Sequence, residues 1–258
     1  MGVTCINKES TDDNVNLLES YWGHSRKEAN LMQIFWILVV LVLSYLVGSI
    51  PFGLLIVKLR TGKDIRLVES GRTGGTNAAR AAGLGAGIIT AVLDFLKAAL
   101  TVWIARLLLP GNIWIQVLAP VAAVIGHNYS IFLIERGNGR RWRLRGGAGG
   151  APTVGGAFGL SWVSILIILP LALAVLFGIG FASLATMSVA FFATLIFTYG
   201  ALTGISPWQY VLYGVITELI LIVALRPNIR RLLNGTERRI GWRAKHAKDH
   251  SSSSSSSS

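Results

Sequence analysis

Long apolar segments, separated by short polar ones, dominate the pattern along this chain. They cover about residues 33–58, 81–108, 113–134, 157–179, 181–203 and 207–225. Each segment is long enough to cross the apolar core of a bilayer as an α-helix, which takes about 20 residues. The pattern therefore predicts an all-α, polytopic membrane protein. Pro51 is expected to kink or loosen the second half of the first helix, because proline removes a backbone hydrogen bond.

Both ends of the chain are polar and are expected to lie outside the membrane domain. Residues 1–32 mix acids and bases without an apolar period, so they predict a polar tail without a cleavable signal peptide. Met32 stands directly before the first apolar segment, which makes it a candidate start of the native protein. Residues 242–258 are basic and then pure serine, which predicts disorder. The membrane domain is accordingly expected to cover residues 33–241.

The distribution of basic residues predicts the orientation of the chain. Only 14% of the residues are charged, yet the formal net charge is +12. Segments 59–80 and 135–145 and the stretch after Arg226 are basic, so the positive-inside rule places all three on the cytoplasmic side. Anionic lipids and substrates explain this charge better than nucleic acid does. The single cysteine excludes an internal disulfide. The sequence has no metal-ligand motif, so no metal or other cofactor is expected.

This orientation requires an odd number of crossings. A cytoplasmic first loop puts the N-terminus outside, whereas the basic tail puts the C-terminus inside. The six apolar segments give an even number, so one assignment has to change. Dividing the glycine-rich region into helices at about 149–161 and 162–179, with a turn near Ser161, repairs the parity. The prediction is then seven transmembrane helices.

Two glycine-rich stretches are candidate phosphate-binding loops. Residues 69–80 combine three glycines with hydroxyls, Asn77 and two arginines, and glycines let backbone N–H groups approach an anion. Residues 146–156 form the second stretch, directly after a loop with five arginines between 136 and 145. Two plainer interpretations stay open. The first stretch suits a solvated loop, and glycines in the second suit close packing of membrane helices.

Three ionisable residues lie within predicted membrane helices. Asp94 and Lys97 are three residues apart and so share one helical face, where charges are usually paired or functional. His127 follows in the next segment. An internal ion pair that fixes packing and a histidine that only hydrogen-bonds are the alternatives to a chemical role.

The combined pattern resembles the bacterial acyl-phosphate:glycerol-3-phosphate acyltransferases (the PlsY family). The matching stretches are Gly48–Gly53, Gly62–Arg66, Ser70–Arg80, Leu93–Lys97, Gly126–His127, the second glycine-rich stretch and Asn228–Gly241. They follow in the same order at matched spacings, over about residues 33–241. The resemblance implies seven spans in the inner (plasma) membrane, with the active-site loops facing the cytoplasm.

The resemblance also implies an activity. A fatty acyl group would pass from acyl phosphate to the sn-1 hydroxyl of glycerol 3-phosphate, giving lysophosphatidic acid and phosphate. The implied partners are these two substrates and membrane lipids. A monomer is the working expectation for the assembly.

Residue roles follow from the same resemblance. It implies catalytic roles for Ser70, Arg80 and Asn228. It implies substrate or phosphate binding by Gly71, Gly74, Thr76, Asn77, Arg140, Arg145, Gly146, Gly147, Gly149 and Ser183. It implies structural support from Asp94, Lys97, His127 and Glu237.

The chain departs from the family pattern at two positions. Ala148 stands where the second motif has a phosphate-binding lysine, and Leu225 stands where the family has a histidine. An arginine of the longer loop, which is Arg140, Arg141, Arg143 or Arg145, is expected to supply the missing charge, and one alignment puts Arg140 in the place of the lysine. The alternative function is a non-catalytic paralogue that binds anionic lipid or a phosphometabolite.

Overall fold

The computed structural model describes residues 30–136 and 142–239. By their contacts, residues 1–39 and 40–258 separate into two units. Residues 30–39 of the first unit are helical, and the rings of Phe35 and Trp36 meet edge to face with centroids 5.5 Å apart. The predicted tails fall outside the described residues, apart from residues 30–32. The pocket and the elements around it belong to the second unit.

Helices and one hairpin account for most of the described chain. In order, they are α1 (30–49), α2 (Phe52–Thr61), α3 (Gly75–Ala82), α4 (Leu84–Leu108), α5 (Ile113–Asn128), β1 (Ser130–Arg136), β2 (Trp142–Arg145), α6 (Gly150–Leu160), α7 (Ser164–Ile179), α8 (Ala182–Leu202) and α9 (Gln209–Leu233). A single 3₁₀ turn, Ile65–Leu67, lies between α2 and α3.

The length and apolar character of these helices suit a membrane. Four segments are long and apolar enough to cross one, namely Asn30–Thr61, Leu84–Leu108, Ala182–Leu202 and Gln209–Leu233. Helices α5 and α7 are apolar but have only 16 residues each, which is about 24 Å of helix. The predicted helical membrane architecture is therefore present. The predicted seven crossings and their orientation stay predictions.

Helix α6 is central to the packing. It is only 11 residues long, but eight of them are buried, against α4, α5 and α8 among others. Glycines allow this close approach, because a Cβ on Gly155 would lie 2.0 Å from the Phe95 carbonyl oxygen of α4. The predicted division of the glycine-rich region near Ser161 is confirmed, since α6 ends at Leu160 and α7 begins at Ser164.

Substituting Gly155 with alanine tests this packing. The added Cβ forces α4 and α6 apart, and overpacking of this kind costs about 1–3 kcal/mol. We expect the variant to lower the midpoint of thermal unfolding in detergent. Gly178→Ala in α7 is the matched control, because its Cβ meets no atom within 4 Å. Equal midpoints for the two variants would contradict the packing described here.

The structure confirms one predicted boundary and changes two others. The break at Pro51 is confirmed, since residues 50–51 are not helical and α2 begins at Phe52. The all-α prediction is wrong in one place: α5 ends at Asn128, and the apolar residues after it form strand β1. Helix α9 continues to Leu233, eight residues beyond the predicted span, and so carries part of the basic tail as helix.

Candidate active site

A polar pocket of about 400 Å³ lies where the ends of several elements meet. The first residues of α3, α6 and α8 all line this pocket; they are Gly75, Gly150 and Ala182. The last turns of α9 and the loop before α3 complete the walls. Helix N-termini carry unpaired N–H groups and the positive end of the helix dipole. Three of them around one pocket make it suitable for anions.

The first glycine-rich loop is held in shape by Asn77. Its side-chain nitrogen lies 2.9–3.2 Å from the carbonyl oxygens of Ile65, Val68 and Arg72, so one side chain links three points of the backbone before α3. Glu69 and Gly71 take the left-handed backbone conformation, with φ of 50° and 66°. The side-chain nitrogen of Asn77 is therefore used by the loop itself, although the residue also lines the pocket.

Arg72 connects this loop to distant parts of the chain. Its guanidinium donates to the carbonyl oxygens of Gly147 at 3.2 Å and Ala224 at 2.6 Å, and to Asn228 Oδ1 at 3.3 Å. It therefore joins both glycine-rich loops to α9. Burial lowers the pKa of Arg72 from its ordinary value, with the charge of Arg231 as a second cause. The sequence identified this residue only as one of two arginines, because its partners are distant in the chain.

Asn228 is held from both sides. Its oxygen accepts from Arg72, and its nitrogen donates to Glu237 at 2.8 Å. Glu237 also accepts from Arg231 at 3.0 Å. The chain turns back at Gly235, which has φ of 69° just after α9, and this turn brings Glu237 to Asn228. The orientation of the Asn228 amide is thus fixed by one cation and one carboxylate.

The second glycine-rich loop packs on the end of α5. The N–H of Gly147 donates to the His127 carbonyl oxygen at 2.9 Å, and a Cβ on Gly147 would lie 1.9 Å from His127 Nε2. Gly149 has φ of 91°, and a Cβ there would meet Leu221 at 2.5 Å. The carbonyl oxygen of Gly146 accepts from the N–H of Thr73 at 3.3 Å, which ties the two loops together.

The buried ionisable residues form a cluster below the pocket. Lys97 Nζ lies 2.8 Å from Asp94 Oδ1 and 3.1 Å from His127 Nδ1, and donates to the carbonyl oxygen of Ile50 at 2.8 Å. Asp94 and His127 line the pocket floor. Because Lys97 is paired with Asp94, the carboxylate does not present an unbalanced negative charge to an anion above it.

Two hydroxyls from different elements reach the pocket. Ser70 is exposed at the pocket, and its oxygen is 3.4 Å from the N–H of Arg72. Ser183 lies in the first turn of α8 and is 2% exposed. Among the described residues its hydroxyl has no hydrogen-bond partner. A buried hydroxyl of this kind at a helix N-terminus can donate to a bound oxyanion.

Four arginines line the pocket, and they differ in their partners. Arg231 pairs with Glu237, and Arg238 contacts Glu69. Within the part of the chain that the structure describes, neither Arg72 nor Arg80 forms a salt bridge. Arg80 is exposed in the last turn of α3. Its guanidinium is therefore available to a ligand.

The structure does not bring every predicted site residue to the pocket. Ser70, Arg80, Asn228, Gly74, Thr76, Asn77, Gly149 and Ser183 line it, with Asp94, His127 and Glu237. Gly71, Gly146, Gly147 and Lys97 are not among the lining residues. Arg145 is directed elsewhere, because β2 places it beside Glu135, whose carboxylate is 2.8 Å from its Nε. Arg140 lies outside the described residues.

The two departures from the expected pattern face the same space. Ala148 and Leu225 both line the pocket, so apolar groups stand there in place of the expected lysine and histidine. Thr186 and Arg72 also line it, and neither was predicted as a site residue. The sequence could have indicated Thr186 as a pocket residue, because it lies one turn after Ser183 on the same helical face.

Comparison with known proteins gives consistent matches. A family model described as "Glycerol-3-phosphate acyltransferase" matches residues 38–235. "Glycerol-3-phosphate acyltransferase 3" of Dehalococcoides mccartyi (strain CBDB1) is 36% identical over 234 residues, covering 83% of this chain and 100% of the relative. "Glycerol-3-phosphate acyltransferase 2" of Moorella thermoacetica is 34% identical over 207 residues, covering 80% and 99%.

Solved structures match as well. The glycerol 3-phosphate form of PlsY (YgiH), an integral membrane glycerol 3-phosphate acyltransferase, has a TM-score of 0.68 and 32% identity, covering 80% of this chain and 96% of that one. Its lysophosphatidic acid form has a TM-score of 0.66 and 30% identity, covering 80% and 95%.

Proposed function

The chain belongs to the glycerol-3-phosphate acyltransferase family, and from this we propose its reaction. It transfers a fatty acyl group from acyl phosphate to the sn-1 hydroxyl of glycerol 3-phosphate, the first step of phospholipid synthesis. The observation that carries the proposal is the pocket, which is lined by three helix N-termini and by Arg72 and Arg80, two arginines that form no salt bridge with any described residue. Both substrates bear phosphate, which such a pocket suits.

The proposed location is the inner (plasma) membrane. Residues 33–241 cross it seven times, with the N-terminus outside and the pocket facing the cytoplasm. Two features support this orientation. Residues 136–145 include five arginines in the sequence, and the last turns of α9, from which Asn228 and Arg231 line the pocket, are basic as well. Glycerol 3-phosphate then enters from water, and the acyl chain reaches the pocket from the bilayer.

The reaction needs little covalent participation by the protein. The sn-1 oxygen attacks the acyl carbonyl carbon and forms the new ester bond as the carbon–oxygen bond to phosphate breaks. The hydroxyl proton passes to the leaving phosphate, so products are lysophosphatidic acid and inorganic phosphate. The protein positions the two substrates and balances negative charge. No cofactor enters this scheme.

Arg80 and Ser70 take separate roles in this scheme. Arg80 binds a phosphate, since its guanidinium is exposed at the pocket. Ser70 hydrogen-bonds the reacting carbonyl or a phosphate oxygen and is not acylated, because within residues 30–136 and 142–239 its only hydrogen bond is with the N–H of Arg72. Ser183 and the first N–H groups of α8 add donors.

Asn228 acts through its neighbours as well as directly. Its side-chain oxygen accepts a hydrogen bond from Arg72 and so orients that guanidinium. Its side-chain nitrogen donates to Glu237, which orients the amide itself. With Ala148 in place of the expected lysine and Leu225 in place of the expected histidine, Arg72 and the three helix N-termini supply the positive potential for the second phosphate. Arg140 remains a candidate for part of this charge.

Glu237 offers a test of this arrangement. In Glu237→Gln, the side chain can still accept from Asn228, whereas Glu237→Ala removes that bond and the one to Arg231. We expect kcat/KM to fall about tenfold for glutamine and about 100-fold for alanine, because hydrogen bonds to a charged group contribute about 1.5–3 kcal/mol. Steady-state kinetics in detergent measures both. An equal loss in the two variants would contradict the positioning role.

The donor and the position of acylation are tested with purified protein. We expect lysophosphatidic acid from acyl phosphate plus glycerol 3-phosphate, with the acyl group on the sn-1 oxygen as identified by NMR of the product. Acyl-CoA in place of acyl phosphate is the donor control. Product from acyl-CoA alone would overturn the proposed donor. Binding of glycerol 3-phosphate without product from either donor would favour the non-catalytic paralogue.

A further inference from the structure

The β1–β2 hairpin has two different faces. The strands pair antiparallel, with Ile134 opposite Leu144 and Arg136 opposite Trp142. Side chains alternate along a strand, so these four residues share one face, here called the outer face. Glu135 and Arg143 are opposite each other on the other, inner face.

An ion pair holds the inner face to the rest of the protein. The carboxylate of Glu135 lies 2.9 Å from Arg66 NH1, and within the hairpin it lies 2.8 Å from Arg145 Nε. Arg66 is itself bound to Asp64 at 2.6 Å, and its guanidinium holds the pKa of the Asp64 carboxyl below its ordinary value. The hairpin is therefore fixed to the loop after α2 through its polar side.

The outer face is apolar and exposed. Trp142 is 64% exposed, Ile134 43% and Leu144 42%. The guanidinium of Arg136 lies over the Trp142 ring, 4.9 Å from its centroid. A tryptophan, two aliphatic side chains and an arginine on one surface are the composition found at membrane interfaces, where aromatic rings lie at headgroup depth and arginines meet lipid phosphates.

The position of the hairpin brings this face to the bilayer boundary. Strand β1 starts two residues after the end of α5, an apolar helix, and β2 leads directly into the second glycine-rich loop at the pocket. The hairpin therefore lies at the end of the apolar helices, where the hydrocarbon region gives way to water. Apolar residues there gain from burial among headgroups and the first methylenes of the acyl chains.

We propose that the outer face of the hairpin is a binding surface for anionic lipid, with Trp142, Ile134 and Leu144 in the headgroup region and Arg136 on a lipid phosphate. Charge complementarity selects the lipid: Arg136 on the outer face is cationic, and Glu135, which is the only acid within the described strands, lies on the inner face and is already paired. The surface is distinct from the substrate pocket and does not depend on the proposed reaction.

Depth measurements on labelled protein test the proposal. The chain has one cysteine, Cys5, so Cys5→Ser provides a background for single labels. Leu144→Cys on the outer face and Arg143→Cys on the inner face each carry an environment-sensitive fluorophore. The protein is placed in nanodiscs of phosphatidylglycerol and phosphatidylcholine that contain spin-labelled quencher lipid.

We expect blue-shifted emission at position 144 and quenching about twofold or more greater than at position 143. Nanodiscs of phosphatidylcholine alone should reduce the quenching at 144. Ile134→Cys, on the same outer face, repeats the test if the Leu144 variant fails to fold. Equal quenching on both faces would overturn the lipid contact, as would none at 134 and 144. Quenching at 144 that does not respond to anionic lipid would overturn the charge selection.

Discussion

Replacing Arg80 with alanine is expected to lower kcat/KM for glycerol 3-phosphate by about 10²–10³-fold while leaving the protein folded. Arg80 is exposed at the pocket, and no described residue forms a salt bridge with it, so its removal costs no internal contact. The reaction, however, loses a positive charge directed at phosphate. Arg80→Lys should retain part of the activity, because lysine keeps the charge but not the planar pair of donors.

Arg60→Ala is the matched control for this variant. Arg60 is also exposed, at the end of α2, but it does not line the pocket. Its removal changes the net charge equally without touching the proposed site. Initial rates and the midpoint of thermal unfolding should be measured for all three variants. If Arg80→Ala and Arg60→Ala retain the same kcat/KM, Arg80 does not bind substrate.

The second large effect is expected at Arg72, and it has two parts. Arg72→Ala removes three hydrogen bonds and leaves the carbonyl oxygens of Gly147 and Ala224 without this donor. We expect a loss of about 2–4 kcal/mol of stability, seen as a lower unfolding midpoint in detergent, because unsatisfied buried acceptors are costly. We also expect kcat/KM to fall by about 10³-fold or more, because Asn228 and both glycine-rich loops lose their common anchor.

Arg72→Lys separates the two parts of this prediction. A lysine can replace one of the three bonds and keeps the positive charge, so the unfolding midpoint should recover more than the activity does. The contrast with Arg80 is the informative comparison: Arg80→Ala lowers activity alone, and Arg72→Ala lowers both. An Arg72→Ala protein with an unchanged unfolding midpoint would contradict the network described here.

The membrane helices were predictable because their signal is local. Apolar length identified the spans, Pro51 identified the break before α2, and the balance of basic loops led to the division into α6 and α7. The division was predicted from the need for an odd number of membrane crossings, because the glycine-rich sequence of α6 alone does not mark where a helix begins. Helix α6 is short and buried by its neighbours, which no sequence window reveals.

The hairpin was missed although its signals were present. Residues 131–134 continue the apolar run of α5, and periodicity does not distinguish a buried strand from a helix over so few residues. The β-branched and aromatic residues there, followed by Asn138-Gly139, are typical of a hairpin and could have indicated one. With the strands in place, Arg145 pairs with Glu135 instead of facing the pocket.

The candidate site was predictable in part. The glycine-rich stretches gave the loops, and family resemblance gave Ser70, Arg80 and Asn228. The role of Arg72 could not be predicted, since its partners Gly147, Ala224 and Asn228 are 75 to 156 residues away in the chain. Ala148 and Leu225 are likewise far apart in the chain, so the sequence alone does not show that both line the pocket.

Phosphate release from acyl phosphate is the most direct measurement of the central claim. Purified protein should release phosphate only when glycerol 3-phosphate is present, with one lysophosphatidic acid formed for each phosphate. Ser70→Ala should be slower by about 100-fold or more, since a donor to the reacting group is lost. If the unmodified protein and Ser70→Ala release phosphate equally slowly, with or without glycerol 3-phosphate, the chain does not catalyse this transfer.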